Sequence, residues 1–169
     1  MAQPSQHAAI IDEGHVAFMT GGVSINLAAR DAHNVPTLTR ALGCRVSADR
    51  RTVTVFVAAP DAARFLDNLR INGAIAAVFS QPSTHHTIQL KGADARVVPR
   101  EPDDVALFER FIVALAADLA HYGWAETYVR TMLGHDDEDI VAVAFTPNAA
   151  FNQTPGPAAG APLAPTGTP

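Results

Sequence analysis

Apolar and polar positions along the chain change period several times, and each change marks an element. Residues 23–29 are rich in β-branched and small apolar side chains that alternate loosely, the period-two signature of a half-buried strand. Asp31 and Asn34 follow in a polar turn, where Asx side chains bond their own backbone and tolerate left-handed dihedrals. Pro36 opens a second extended run that reaches Val46, residues 47–51 supply another turn, and 52–57 is again strongly β-branched. These segments predict a three-strand meander. From Pro60 the period becomes helical: Phe65, Leu66 and Leu69 share one face, and Asn72 followed by Gly73 is a helix stop. The unbroken apolar run 74–79 predicts a strand buried on both faces. Residues 81–84 form a loop, and 86–98 a long strand bent or bulged at Gly92. Pro102, Asp103 and Asp104 begin the best helix, their acids complementing its positive end. Its apolar face carries Leu107, Phe111, Leu115 and Leu119, and Gly123 stops it. A shorter helix over 125–133 and a strand over 140–145 complete the order.

This order predicts a mainly β, α+β fold with accessory helices. Short turns between strands favour antiparallel pairing, and closing six or more such strands into a small barrel removes vulnerable edges. A dinucleotide-binding fold is excluded, because strands and helices do not alternate and no glycine-rich strand-to-helix loop occurs. One domain is expected over residues 1–153. From Thr154 to 169 proline, glycine, alanine and threonine dominate without periodicity, which predicts an extended or disordered tail.

Composition narrows the setting. With 48% apolar and 17% charged residues among 169, a sizeable core is feasible. No window approaches the roughly 18 unbroken apolar residues of a membrane helix. Residues 1–7 are polar and lack the basic-then-apolar build of a secretory signal. The sole cysteine, Cys44, permits no intrachain disulfide, so the cytoplasm is the expected compartment. A net charge of −5 argues against coating nucleic acid.

Few residues nominate chemistry. Arg40 and Arg45 lie on one predicted strand at an odd separation, which an ideal strand places on opposite faces. A bulge near Gly43 would bring them to one side. Two readings stand for the pair: solvated strand arginines, or a grip on phosphate by planar guanidinium groups. Adjacent His85 and His86 point apart, and the acidic run after His135 lacks the alternation and glycine of a calcium loop, so no metal site is expected. His121 and Tyr122 fit a helix end. Cys44 has no catalytic signature and reads as a small buried hydrophobe. No Gly-x-Ser-x-Gly elbow occurs, nothing nominates a nucleophile, and catalytic residues stay unassigned.

The order and spacing of VSINLAARD (23–31), PTLTRALGCRV (36–46), TVTVFV (52–57), NLRING (68–73) and TIQLKG (87–92) resemble the pyridoxamine 5′-phosphate oxidase-like family of FMN-binding split β-barrels. The resemblance spans roughly residues 10–160 and includes FNQTPGPAAG (151–160), similar to the end of an oxidase-related bacterial subgroup. It implies a split barrel, a homodimer with FMN at the subunit interface, and oxidoreductase chemistry on a small substrate. Arg40 to Arg45 matches the family's Arg-x-x-x-x-Lys phosphate strand with arginine in the second place. The resemblance further implies flavin contacts from Phe56 and Val57, a basic contact from Arg64, and an amide or hydroxyl contact from Thr87 with Gln89 on the same face. Two features depart from the family. Its Arg-Lys pair at the helix start is here Arg64 followed by Phe65, and its C-terminal tryptophan and Arg-x-Arg-Leu-x-Pro ending are replaced by the run Gln153 to Pro157. Pyridoxamine phosphate oxidation itself is therefore not expected. The alternative is a module that binds flavin or haem without turnover, the seven histidines leaving haem ligation open.

Overall fold

In the computed structural model, which describes residues 9–163, nine strands form two antiparallel sheets. The first sheet contains β1 (Ser24–Arg30), β2 (Pro36–Arg40), β5 (Ile75–Ser80), β6 (Thr87–Gly92) and β9 (Ala149–Asn152), in the order β2-β1-β5-β6-β9. The second contains β3 (Cys44–Val46), β4 (Val53–Ala58), β7 (Arg96–Val98) and β8 (Ile140–Phe145), in the order β3-β4-β8-β7. Four helices accompany them: α1 (Glu13–Met19), α2 (Ala63–Asn72), α3 (Asp104–Leu119) and α4 (Glu126–Leu133). Among the described residues no helix is long and apolar enough to cross a membrane.

The sheets are joined where the chain passes from one to the other, so the barrel is split rather than closed. The predicted strand 36–46 is two strands. Ala41 N still donates to Ile25 of β1, whereas Leu42 N donates to Phe56 of β4. Gly43 makes the change of direction at φ +133, and a Cβ there would meet Leu107 Cδ2 at 2.9 Å. The expected strand 86–98 likewise divides: β6 pairs with β5 and β9, then β7 pairs with β8. Between them Ala95 N donates to Gly73 O, so the crossing leans on the left-handed cap of α2, where Gly73 has φ +65. Two more passages complete the set: α2 carries the chain from β4 to β5, and residues 146–148 carry it from β8 to β9.

Alternation decides what fills the barrel. On β1 the buried residues are Ile25, Leu27 and Ala29, on β5 Ile75, Ala77 and Phe79, and on β6 Ile88 and Leu90. They meet Val53, Val55, Phe56, Val57, Val143 and Phe145 from the second sheet and Phe65 from α2. Fully burying each such side chain contributes about 1.5–3 kcal/mol. β4 is buried along its whole length, because β3 and β8 flank it and α3 covers it with Phe108 edge-on to Phe56.

Two elements were not anticipated. The seven residues of α1 are held by Asp12, whose Oδ1 accepts from His15 N at 2.8 Å while Asp12 N donates to His15 Nδ1. β9 has only four residues. Beyond it, the segment expected to trail folds back: Asn152 N donates to Ala161 O, Leu163 N donates to Ala150 O, and Phe151 bridges Pro162. A strand edge that would otherwise lie open is thus covered by the chain itself. The expectations for residues 1–7 and for the tail beyond 163 fall outside the described residues.

Candidate functional site

Pleating sends alternate residues of the five-stranded sheet away from the core, and register aligns them into rows. Arg40 lies opposite Asn26, Asn26 opposite Val78, Val78 opposite Gln89, and Gln89 opposite Phe151. The next row is Leu38, Ala28, Ala76, Lys91 and Ala149, and the row on the other side holds Ser24, Ser80 and Thr87. Every one of these residues is half-buried or exposed, with Leu38 76% exposed. The outer face of the first sheet is therefore open. Small side chains keep its middle low: Ala28, Ala76 and Ala149 leave a surface on which a planar ring can rest. Polar partners already organise its β6 side, where the Ser80 and Thr87 hydroxyls are 2.8 Å apart and Lys91 Nζ stands 4.9 Å over the Phe151 ring.

The arginines sort by whether their charge is already used. Arg45, on the second sheet, donates from Nε to Asp104 Oδ1 at 2.9 Å, and its Nη1 lies 2.9 Å from Glu101 Oε1. Asp104 is 1% exposed. A phosphate would have to compete there with two carboxylates. Arg40 instead stands on the outer face, and its only side-chain hydrogen bond among the described residues goes to the thioether of Met132. Arg64, exposed near the start of α2, forms no ion pair among the described residues and acts on Asp31 only through its charge. Asp31 is held below the usual carboxylate range, chiefly by the Val35 backbone N–H, with a smaller effect from Arg64.

A groove of about 490 Å³ runs between β2 and the start of α2, lined by Pro36, Thr37, Leu38, Pro60, Asp61 and Arg64 among others. Asn68 of α2 donates to Thr37 Oγ1 at 3.1 Å, fixing the helix to the strand that carries Arg40. His135 Nε2 stands 3.6 Å from Asp61 Oδ2 at the same end. Another groove, about 510 Å³ between the end of α2 and the β6–β7 crossing, holds Arg70 and Arg96. Each already faces a neighbouring aspartate, Asp67 and Asp94 respectively, so that groove offers no uncommitted cation.

The predicted site residues therefore separate. Arg40, Thr87 and Gln89 share the outer face, and Arg64 borders the groove at its β2 edge. Arg45 is on the other sheet, committed to Asp104 and Glu101. Phe56 and Val57 are fully buried, their side chains in the core. Two residues that spacing did not nominate also stand on or beside the open face: Asn26, exposed between Arg40 and Val78, and Gln153, whose Nε2 donates to Gln89 Oε1 at 3.3 Å. Alternation on 23–29 places Asn26 on the polar face, the one signal that pointed to it. Cys44 is buried with Sγ directed at Met19 O, and burial pushes its thiol up to about 12. Tyr122 and His121 are structural: the phenol donates to Pro82 O, and the imidazole Nδ1 meets Asp118 O.

Neither a family model nor a curated protein matches the sequence. Solved structures do. HupZ of Group A Streptococcus superposes with a TM-score of 0.53 at 15% identity, over 89% of this chain and 99% of that one. An F420 reductase gives 0.51 at 16% identity, over 83% and 98% of the two chains. A Lactobacillus delbrueckii protein provisionally named as a pyridoxamine 5′-phosphate oxidase gives 0.51 at 13% identity, over 87% and 97%. At these identities the likeness is one of fold: the chain has the pyridoxamine 5′-phosphate oxidase-like architecture, a split β-barrel of mostly antiparallel strands with accessory helices.

Proposed function

We propose that this split barrel binds FMN non-covalently on the outer face of its five-stranded sheet, acts as an oxidoreductase on a small substrate, and works as a homodimer whose second copy covers that face. The observation that carries the reading is the in-register row from Arg40 through Asn26 and Val78 to Gln89. An uncommitted guanidinium stands at one end and an amide at the other. Three strand-to-strand steps separate them, roughly 14 Å, comparable with the extended length of FMN.

The residues present fit such a ligand. Arg40 and Arg64 supply the two guanidinium groups among those predicted that no carboxylate has taken; Arg64 lines the groove between β2 and α2, and Arg40 closes the other end of β2. Charge-assisted bonds from them would hold the phosphate. Thr87 and Gln89 would meet the ribityl chain or ring edge, with Val78 and the alanine row beneath the ring. FMN when bound supplies hydride and electron transfer, and the protein positions it and tunes its electronics. Two structural neighbours, an F420 reductase and a protein provisionally named as a pyridoxamine 5′-phosphate oxidase, carry the names of redox proteins and support this choice. Haem ligation finds no described histidine in those rows. The described histidines stand in turns, in helices or next to partners such as Asp12, Thr154, Asp118 and Asp61.

The test is a fluorescence titration with FMN and with riboflavin. A charge-assisted bond contributes about 1.5–3 kcal/mol, so Arg40→Gln with Arg64→Gln should weaken FMN at least about a hundredfold and leave riboflavin nearly unchanged. FMN binding at wild-type affinity by the double variant would sink the assignment.

A further inference from the structure

Gln153 departs from the ending that the oxidases carry, yet it is firmly placed. Its N donates to Thr87 O at 2.8 Å, and the neighbouring Thr154 Oγ1 accepts from Thr87 N at 3.0 Å. Its side chain donates from Nε2 to Gln89 Oε1. A glutamine amide has two N–H donors and one accepting oxygen. With Gln89's oxygen engaged, its Nε2 has no acceptor among the described residues, and the Oε1 of Gln153 has no donor among them. The two linked amides thus keep one donor, Gln89 Nε2, and one acceptor, Gln153 Oε1, without partners among the described residues, and Gln89 sits in register with Val78 and Phe151. A ligand edge that satisfies both must carry an acceptor next to a donor, which is the pattern of a cyclic amide. The dione ring of a flavin has this edge, N3–H between two carbonyl groups.

We infer that Gln89 and Gln153 together read the N3 edge of the flavin: Gln89 Nε2 donates to a ring carbonyl, and Gln153 Oε1 accepts from N3–H. The inference rests on the FMN reading above and makes the C-terminal segment, rather than the barrel alone, the source of ring selectivity. Gln153 serves twice, as a contact and as the residue that turns the Gln89 amide.

The experiment compares FMN with 3-methyl-FMN, in which a methyl group replaces the N3 hydrogen. Wild-type protein should bind FMN at least about tenfold more tightly, because the methyl group removes the donor and leaves the Gln153 oxygen unpaired. In Gln153→Ala, with its fold checked by circular dichroism, the discrimination should shrink to about twofold. Equal affinities in the wild type, or full discrimination retained by Gln153→Ala, overturns the inference and leaves the Arg40–Arg64 phosphate grip standing. Absence of FMN binding removes both. The wild-type comparison needs no variant, so a folding defect in Gln153→Ala cannot shield the idea.

Discussion

Replacing Arg45 with alanine separates a structural arginine from a ligand-binding one. In the folded protein its guanidinium meets Asp104, a carboxylate 1% exposed at the start of α3, and Glu101, which is 61% exposed. Removing one partner of a fully buried pair costs about 3–5 kcal/mol. Here the loss is smaller, for two reasons. The Arg45 side chain is 27% exposed, so water can reach the vacated space. Asp104 also keeps one donor, the Glu101 backbone N–H at 2.7 Å from Oδ2. The contact to Glu101 lies in solvent and adds little. We therefore expect a loss of about 2–3 kcal/mol for Arg45→Ala, which for a domain of this size lowers the melting midpoint by roughly 5–10 °C. Urea unfolding measures it as a drop in midpoint at unchanged slope. The double variant Arg45→Met, Asp104→Leu should recover most of the loss, because an apolar pair leaves no buried charge unpaired. FMN affinity of folded Arg45→Ala should stay within about threefold of wild type, since RT ln 3 is only about 0.65 kcal/mol. Unchanged stability together with a hundredfold loss of FMN affinity would refute the reasoning and return Arg45 to the phosphate site.

Other expectations follow from burial and from the open face. Cys44 should resist Ellman's reagent at pH 8 in the native protein and react fully in denaturant. Its thiol is raised to about 12, so above the unfolded thiol's value, near 8.5, the unfolded state alone loses a proton. Stability then falls as pH rises, by about 1.4 kcal/mol per unit until the folded value is reached, and pH-dependent urea midpoints of wild type and Cys44→Ala would reveal it as a difference between the two. Leu38→Glu places a charge on the face assigned to the second copy. Sedimentation should show a dimer for wild type and a monomer for the variant, with unchanged circular dichroism, whereas a variant that stays dimeric rules out that face as the interface.

Much of the barrel was legible in the chain because burial on one face of a strand forces period two. The alternation over 23–29 and the apolar runs 74–79 and 140–145 became β1, β5 and β8 within a residue or two. However, β5, expected to be buried on both faces, buries only alternate residues, because its other side is the open face of the sheet. Period two reports which side of a strand is buried but not which sheet the strand joins. Runs 36–46 and 86–98 therefore read as single strands although each crosses between sheets, at Gly43 and after Gly92. The arginine pair shows the same limit at the level of chemistry. Spacing brought Arg40 and Arg45 together, while the deciding fact, a buried aspartate 59 residues beyond Arg45, is a tertiary contact that no local pattern encodes. Arg64, Thr87 and Gln89 came from resemblance, and the structure sets them on or beside one open surface. Gln153 escaped because a proline- and glycine-rich composition masks a turn held by specific hydrogen bonds to β6 and β9.

The most direct measurement is a titration of the protein with FMN followed by visible absorbance. The account predicts saturable binding of one FMN per chain, with a perturbed flavin spectrum and loss of the effect in the Arg40, Arg64 double variant. A flavin spectrum that stays unchanged in the presence of excess protein would contradict it.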